Sequence, residues 1–202
     1  TGQLLMMYLL AYALGAPLEP RRLERIPSLA ARALRLRPAI AALAERYRFM
    51  DHAVVVGRGL NYANAFEFSL KMMETCYVVA ERFSSADFLH GPIALIERDF
   101  PVFLFAPPGP TWPATRAMLE KLRGLEAETV VIGDSRHTSS FAYATRSIRV
   151  PGPIPASTGL PADLFTPIPY ILPAQLFAAT LAAQKGLNPD QPRTLTKITK
   201  TV

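Results

Sequence analysis

The chain has 202 residues, of which half are hydrophobic and one is a cysteine, and its formal net charge is +6. This length suits one large domain, or one domain with an appendage, around a sizeable core. A single cysteine excludes an internal disulfide framework and favours a reducing, cytoplasmic location. The longest apolar run, residues 4–16, is shorter than the roughly 20 residues that span a bilayer and lacks a basic leader, so we expect a core helix and no membrane partner.

The positive charge is concentrated in one arginine-rich segment. Its arginines are Arg21, Arg22, Arg25, Arg32, Arg35, Arg37, Arg46 and Arg48. Alanines and leucines separate them at helical spacing, which is typical of a solvated helix face. We find no helix-turn-helix or winged segment, so nucleic acid is not the expected partner. An acidic ligand such as a sugar phosphate would also suit this charge balance.

The hydrophobic pattern changes in character along the chain. In order, it predicts helices at 3–14 and 28–49 (broken at Pro38), a strand at 52–57, a helix at 62–75, strands at 77–81 and 101–106, a helix at 113–124, strands at 129–133 and 147–150, a proline-rich loop at 151–173 running into a helix at about 168–185, and a polar tail at 188–202. Short continuous apolar strands that alternate with helices indicate a parallel sheet covered on both faces. Residues 52–150 therefore read as one doubly wound α/β unit.

A glycine pair follows the first predicted strand. Gly57, Arg58 and Gly59 lie where a helix begins, and free backbone N–H groups at such a point favour an anion. A dinucleotide-binding fingerprint would need a further glycine at the position of Tyr62, so we do not expect NAD. A Gly-x-Gly pair is also common in tight turns that bind nothing.

A polar stripe marks the helix predicted at 62–75. At 100° per residue, Asn64, Glu67, Lys71 and Glu74 fall within a narrow arc. Taken alone, this is an ordinary solvated face, in which the Glu67-to-Lys71 spacing favours a surface ion pair. The helix nevertheless begins at the carboxyl end of a strand, where open α/β sheets bind ligands.

The residue types in and after this stripe suit proton transfer on a sugar. Aldose–ketose isomerisation needs a base that carries a proton between C1 and C2, and Glu74 could be that base, with Lys71 stabilising the enolate charge. Opening a sugar ring needs an acid or base that works near neutral pH, and His90 stands before a Gly-Pro turn. We interpret His52 and His137 as structural or solvent-facing.

Several weak motifs occur together here. Residues 71–92 contain Lys-x-x-Glu, then Ala-Glu, then His-Gly-Pro, and Asp-Gln-Pro-Arg follows at 190–193. In combination with the glycine pair, these resemble the sugar isomerase (SIS) domain family, as in the isomerase part of glucosamine-6-phosphate synthases. The resemblance implies an α/β fold: a three-layer αβα sandwich with a five-stranded parallel sheet, flanked by helices. It divides the chain into 1–50, the helical end of a preceding SIS domain with a linker, and 51–202, a second SIS domain with a C-terminal tail.

The resemblance also implies roles for individual residues. Catalytic roles fall to Glu74, Lys71, His90 and Lys197, and substrate-binding roles to Gly57, Arg58, Gly59 and Arg193. His90 would open the ring, reaching into the site of a neighbouring subunit in a homodimer, and Lys197 would close over the sugar with the tail. The expected partner is a phosphorylated amino sugar, and no metal or organic cofactor is implied.

The chain departs from the family pattern in two respects. The family's phosphate loop lies in its first SIS domain, of which residues 1–3 match only the end, so we expect a fragment. We also expect no glutaminase domain, because no N-terminal cysteine is present to take nitrogen from glutamine, and the ending at 195–202 is more similar to hexosamine-phosphate deaminases. The expected function is isomerisation of an amino-hexose 6-phosphate or fructose 6-phosphate, with amination or deamination at C2. The alternative is a SIS domain that only senses a sugar phosphate, and the joint presence of Glu74, His90 and Lys197 favours the enzyme. The particular sugar, the nitrogen source and the direction stay open.

Overall fold

A computed structural model describes residues 1–152 and 159–194 of the chain. Within them, five strands form one sheet in which every neighbouring pair is parallel. The strands are β1 (His52–Gly57), β2 (Val79–Ser84), β3 (Pro101–Ala106), β4 (Glu128–Asp134) and β5 (Arg146–Val150). Their order across the sheet is 2-1-3-4-5, so the topological switch point lies between β1 and β3. The predicted five-stranded parallel sheet is confirmed.

Helices cover both faces of this sheet. In the described residues they are α1 (Gly2–Ala13), α2 (Pro20–Leu23), α3 (Ile26–Leu34), α4 (Arg37–Glu45), α5 (Tyr62–Cys76), α6 (Ser85–Leu89), α7 (Trp112–Gly124) and α8 (Pro167–Gln184). Alternate strand residues point to opposite faces, so Val55 and Phe103 meet α4, α5 and α8, whereas Val54 and Leu104 meet α6 and α7. This is the predicted three-layer sandwich. None of these helices is long and apolar enough to cross a membrane.

An aromatic cluster fixes α5 and α8 to the sheet. The Phe103 ring on β3 lies 5.2 Å from Phe68 of α5 and 5.1 Å from Phe177 of α8, in edge-to-face arrangements. All three side chains are fully buried. Edge-to-face aromatic pairs stabilise a core beyond their buried area, so these contacts fix the orientation of α5 and of its polar stripe.

The helical segment before the sheet packs in two different ways. The predicted helix at 28–49 is two helices, because the break falls before Pro38, which occupies the first turn of α4. Proline is tolerated there since its missing N–H would have no partner in the helix. Both α3 and α4 pack against α8. In contrast, α1 packs through Tyr8 against Phe165 and leaves Met6, Met7, Leu9 and Leu10 exposed. The assignment of 1–50 to a preceding domain stays a prediction.

The second strand is displaced from its predicted position. The apolar run at 77–81 predicted a strand there, but Tyr77 has a left-handed φ of 54° and ends α5. Pairing starts only at Val79, whose N–H donates to the carbonyl of Asp51. β2 is an edge strand in which only Ala80 is buried, and its second half, Arg82 to Ser84, lacks the apolar pattern of a buried strand.

Gly57, the last residue of β1, is required by close packing. A Cβ added here would collide with the backbone carbonyl of Asn61. We therefore expect Gly57→Ala to lower the free energy of unfolding by about 1–3 kcal/mol, the usual cost of overpacking. Urea denaturation measures this. Gly124→Ala is the matched control, because open space surrounds that glycine. Equal stability of the two variants would contradict the prediction.

Candidate functional site

Lys71 and Glu74, the two residues of α5 with predicted catalytic roles, form a hydrogen-bonded ion pair. The Lys71 ammonium donates to the Glu74 carboxylate at 2.7 Å, and the side chains are 34% and 30% exposed. This hydrogen bond raises the pKa of Lys71 above its ordinary value. Lys71 is therefore protonated at neutral pH and can stabilise negative charge, whereas Glu74 is the member of the pair that can accept a proton.

Asn64 and Glu67, the first two residues of the stripe, make hydrogen bonds to other parts of the protein. Asn64 is buried and donates to the side chain of Asn61 and to the carbonyl of Pro167. Glu67 accepts from the Gln175 amide of α8 at 2.9 Å. The spacing suggested an ion pair between Glu67 and Lys71. In the structure, Lys71 pairs with Glu74 instead.

The C-terminal tail is attached to the turn that follows Glu74. The backbone N–H of Arg193 donates to the Tyr77 hydroxyl at 2.8 Å, and the Arg193 guanidinium lies 4.4 Å from the centre of the Tyr77 ring. Two contacts of different kinds therefore hold the last described part of the tail at the end of α5. Arg193 is brought to the same end of the helix as Lys71 and Glu74. Lys197, the other predicted tail residue, lies outside the described residues.

This attachment can be tested without an activity assay. Tyr77→Phe removes the hydroxyl but keeps the ring, so only the hydrogen bond to Arg193 is lost. Such a bond contributes about 1 kcal/mol, so amide hydrogen exchange at Arg193 should become roughly fivefold faster. Tyr12→Phe is the matched control, because Tyr12 is exposed on α1. Unchanged exchange at Arg193 would mean that the contact is absent in solution.

The glycine pair lies at the other end of α5. Gly59 has a left-handed φ of 57°, and the Arg58 guanidinium donates to the Ser85 hydroxyl at 3.3 Å. This turn is at the carboxyl edge of the sheet, as predicted. A helix rises 1.5 Å per residue, so the span from Tyr62 to Glu74 is about 18 Å. The expectation that the stripe lies at the ligand-binding edge therefore holds for its first residues only.

His90 is not brought to Glu74 within the chain. It is exposed and ends α6, where its backbone N–H donates to the carbonyl of Asp87. α6 packs through Phe88 on the face of the sheet that also carries α7, whereas α5 packs on the opposite face. The sheet thus separates the two predicted catalytic residues.

Two groups of interacting residues were not found from the sequence. Tyr77 was placed in a strand, and no local signal connects it with Arg193, which is far away in the chain. His137 was interpreted as structural, yet both of its ring nitrogens contact serine hydroxyls. The sequence signal for this group is a histidine that is followed directly by hydroxyl residues, in a loop after a strand. The described residues contain no group of three or more His, Cys, Asp or Glu that could hold a metal ion.

Comparison with known proteins identifies the fold family. A family model described as the SIS domain matches residues 48–184. The chain belongs to the SIS domain family. Glutamine–fructose-6-phosphate aminotransferase [isomerizing] of Methanothermobacter thermautotrophicus is 33% identical over 196 residues, covering 97% of this chain and 32% of that protein. The enzyme of the same name from Pyrococcus horikoshii is 35% identical over 205 residues, covering 98% of this chain and 32% of that protein.

Solved structures agree with this SIS assignment. The C-terminal domain of glucosamine-fructose-6-phosphate aminotransferase from Francisella tularensis superimposes with a TM-score of 0.76 and 25% identity, over 85% of this chain and 46% of that one. Tagatose-6-phosphate ketose/aldose isomerase from Escherichia coli shares the fold at a TM-score of 0.68 and 22% identity, over 87% and 48% of the two chains. The SIS chain thus spans about a third of the length of the curated relatives.

Proposed function

We propose that this SIS domain is one half of a phosphosugar isomerase unit that acts on an amino-hexose 6-phosphate or fructose 6-phosphate. The observation that carries the proposal is the Lys71–Glu74 pair, an ammonium 2.7 Å from a carboxylate, in a domain related to aminotransferases of the isomerizing type. The pair has the groups that isomerisation needs. A domain that only senses a sugar phosphate would not need a proton-transferring pair.

In this proposal, Glu74 moves the proton and Lys71 stabilises the charge. The Glu74 carboxylate removes a proton from C2 or C1 of the open-chain sugar, and negative charge develops on the adjacent oxygen. The Lys71 ammonium stabilises that enolate, and Glu74 then returns the proton to the neighbouring carbon. In amination, ammonia condenses with the C2 carbonyl and water leaves; in deamination, water replaces the amino group at C2 and ammonia leaves. Oxidation at one of the two carbons, C1 and C2, is matched by reduction at the other, so the reaction needs no external oxidant or reductant.

We further propose that the complete site is shared between two copies of the chain. Its support is the position of His90 on the opposite side of the sheet from Glu74. His90 is exposed and could serve a second copy, where it would open the sugar ring. Lys197 is proposed to approach the sugar from the tail, on the family resemblance and on the attachment of Arg193 at the end of α5.

The phosphate-binding position is a separate part of the proposal. The distance of about 18 Å along α5 exceeds the length of a hexose phosphate, so one sugar cannot contact both Glu74 and the turn of the same chain. We propose that a preceding domain holds the phosphate. Substrate binding by Gly57, Arg58 and Gly59 stays a prediction.

The deciding experiment uses the full-length protein with glucosamine 6-phosphate and with fructose 6-phosphate, each with and without ammonia and glutamine. Interconversion of the two sugars is the expected result. Release of ammonia without glutamine would identify a deaminase, and a requirement for glutamine would identify a synthase. Tight binding of both sugars with no turnover under any condition would refute the enzyme and support the sensing alternative.

A further inference from the structure

A group of three side chains lies at the carboxyl end of β4. The His137 Nε2 atom is 2.9 Å from the Ser139 hydroxyl, and its Nδ1 atom is 2.6 Å from the Ser140 hydroxyl. Ser140 is fully buried, whereas Ser139 is exposed. The imidazole thus connects a buried hydroxyl to a hydroxyl that solvent reaches.

Ser140 also contacts the backbone. Its hydroxyl donates to the carbonyl of Ala106, at the end of β3, over 3.3 Å. When its proton is engaged there and not on the ring nitrogen 2.6 Å away, the Ser140 oxygen accepts from Nδ1–H of His137. Nε2 then carries no proton and accepts from the hydroxyl of Ser139. The resulting order is Ser139 to His137 to Ser140 to Ala106.

The imidazole of this relay is held in place and kept neutral. The Trp112 ring, at the start of α7, meets the His137 ring edge-on with centres 4.6 Å apart. Burial lowers the pKa of His137, although the charge of nearby Asp134 opposes the effect. The Asp134 carboxylate is itself bonded by Arg136. A neutral, oriented imidazole next to an exposed hydroxyl has the geometry of a general base beside a nucleophile.

We propose that Ser139 is a nucleophilic site that accepts an acyl group from activated esters, with His137 as its base and Ser140 as a residue that positions the base. The Ser139 oxygen forms a bond to the acyl carbon, and its proton passes to Nε2 of His137. The bond between the acyl carbon and the leaving group breaks, and the leaving group departs with the electron pair. Solvent then removes the proton from the imidazole, and the product is an acylated Ser139.

This site is distinct from the proposed sugar site. It lies at the carboxyl edge of the sheet, between the ends of β3 and β4, whereas Lys71 and Glu74 lie on the last turns of α5. None of its three side chains has a role in the isomerisation. Its test can therefore fail or succeed without affecting the proposed function.

The test is acetylation of the intact chain by p-nitrophenyl acetate, followed by peptide mass spectrometry to obtain a rate for each serine. A positioned general base typically contributes about 10²–10⁴-fold, so Ser139 should acetylate at least about tenfold faster than Ser28, an exposed serine on α3. His137→Gln should reduce the rate at Ser139 to that of Ser28. Ser140→Ala, which frees the ring to change tautomer, should reduce it in part.

Folding is checked separately by the thermal melting of each variant. If His137→Gln unfolds, Ser140→Ala provides the comparison, because it removes only one hydroxyl. Equal acetylation of Ser139 and Ser28 in the wild-type chain would overturn the proposal. So would a rate at Ser139 that is unchanged in a folded His137→Gln variant.

Discussion

Glu74→Gln in the full-length protein should lower turnover of the sugar phosphate by about 10²–10⁴-fold, the usual contribution of a general base. The amide keeps the shape of the carboxylate and can still accept a hydrogen bond from Lys71, but it cannot take a proton from carbon. Binding of the sugar phosphate should change little, because its phosphate is not held by this residue in the proposed site. Initial rates and calorimetric binding distinguish the two effects.

Glu67→Gln is the matched control. It lies on the same stripe of α5 and also accepts a hydrogen bond, but from the Gln175 amide instead of from the Lys71 ammonium. Turnover should stay within a few-fold of wild type. The isotope test is stricter: in deuterated water, exchange at C2 of the substrate should almost cease in Glu74→Gln. Exchange at the wild-type rate would remove Glu74 from the role of proton carrier.

The architecture could be predicted because buried parallel strands have a strong sequence pattern. The runs of valine at 54–56 and of aromatic and aliphatic residues at 102–105 are apolar on both faces, which only a sheet covered on both sides requires. The predicted bounds of the edge strand β2 were wrong because this strand is mostly exposed or partly exposed. There, the left-handed Tyr77 ended the helix at a residue whose type favours a strand.

The candidate site could be predicted only where it is local. Lys71 and Glu74 are three residues apart on one helix, so helical geometry allows their pairing, although it also favoured a pair between Glu67 and Lys71. The period of a helix predicts on which face of the helix a residue lies. The rise per residue decides how far that residue lies from the start of the helix. The helical period puts Glu74 on the same stripe as Asn64, but the rise of α5 carries Glu74 about 18 Å from the edge where the helix begins. The contact of Tyr77 with Arg193 joins distant parts of the chain, and no local pattern encodes such a contact.

If two subunits share the site, a mixture of two inactive variants should regain activity, which a site contained in one chain does not predict. If Glu74 of one copy works with His90 of another, Glu74→Gln and His90→Asn proteins should each be nearly inactive, yet a mixture should recover. In a mixed dimer, one site combines the intact Glu74 with the intact His90, and the other site carries both substitutions. Random exchange makes half of the dimers mixed, so the mixture should reach about one quarter of wild-type activity.

The reciprocal mixture gives the control. A protein with both substitutions, mixed with an equal amount of wild type, forms mixed dimers in which both shared sites are broken. Its activity should fall to about one quarter of an equal total amount of wild type, whereas sites contained within single chains would retain one half. Native mass spectrometry verifies that mixed dimers have formed. If they form and the first mixture stays inactive, His90 does not act across the interface. The sheet that separates it from Glu74 would then exclude the two residues from one site.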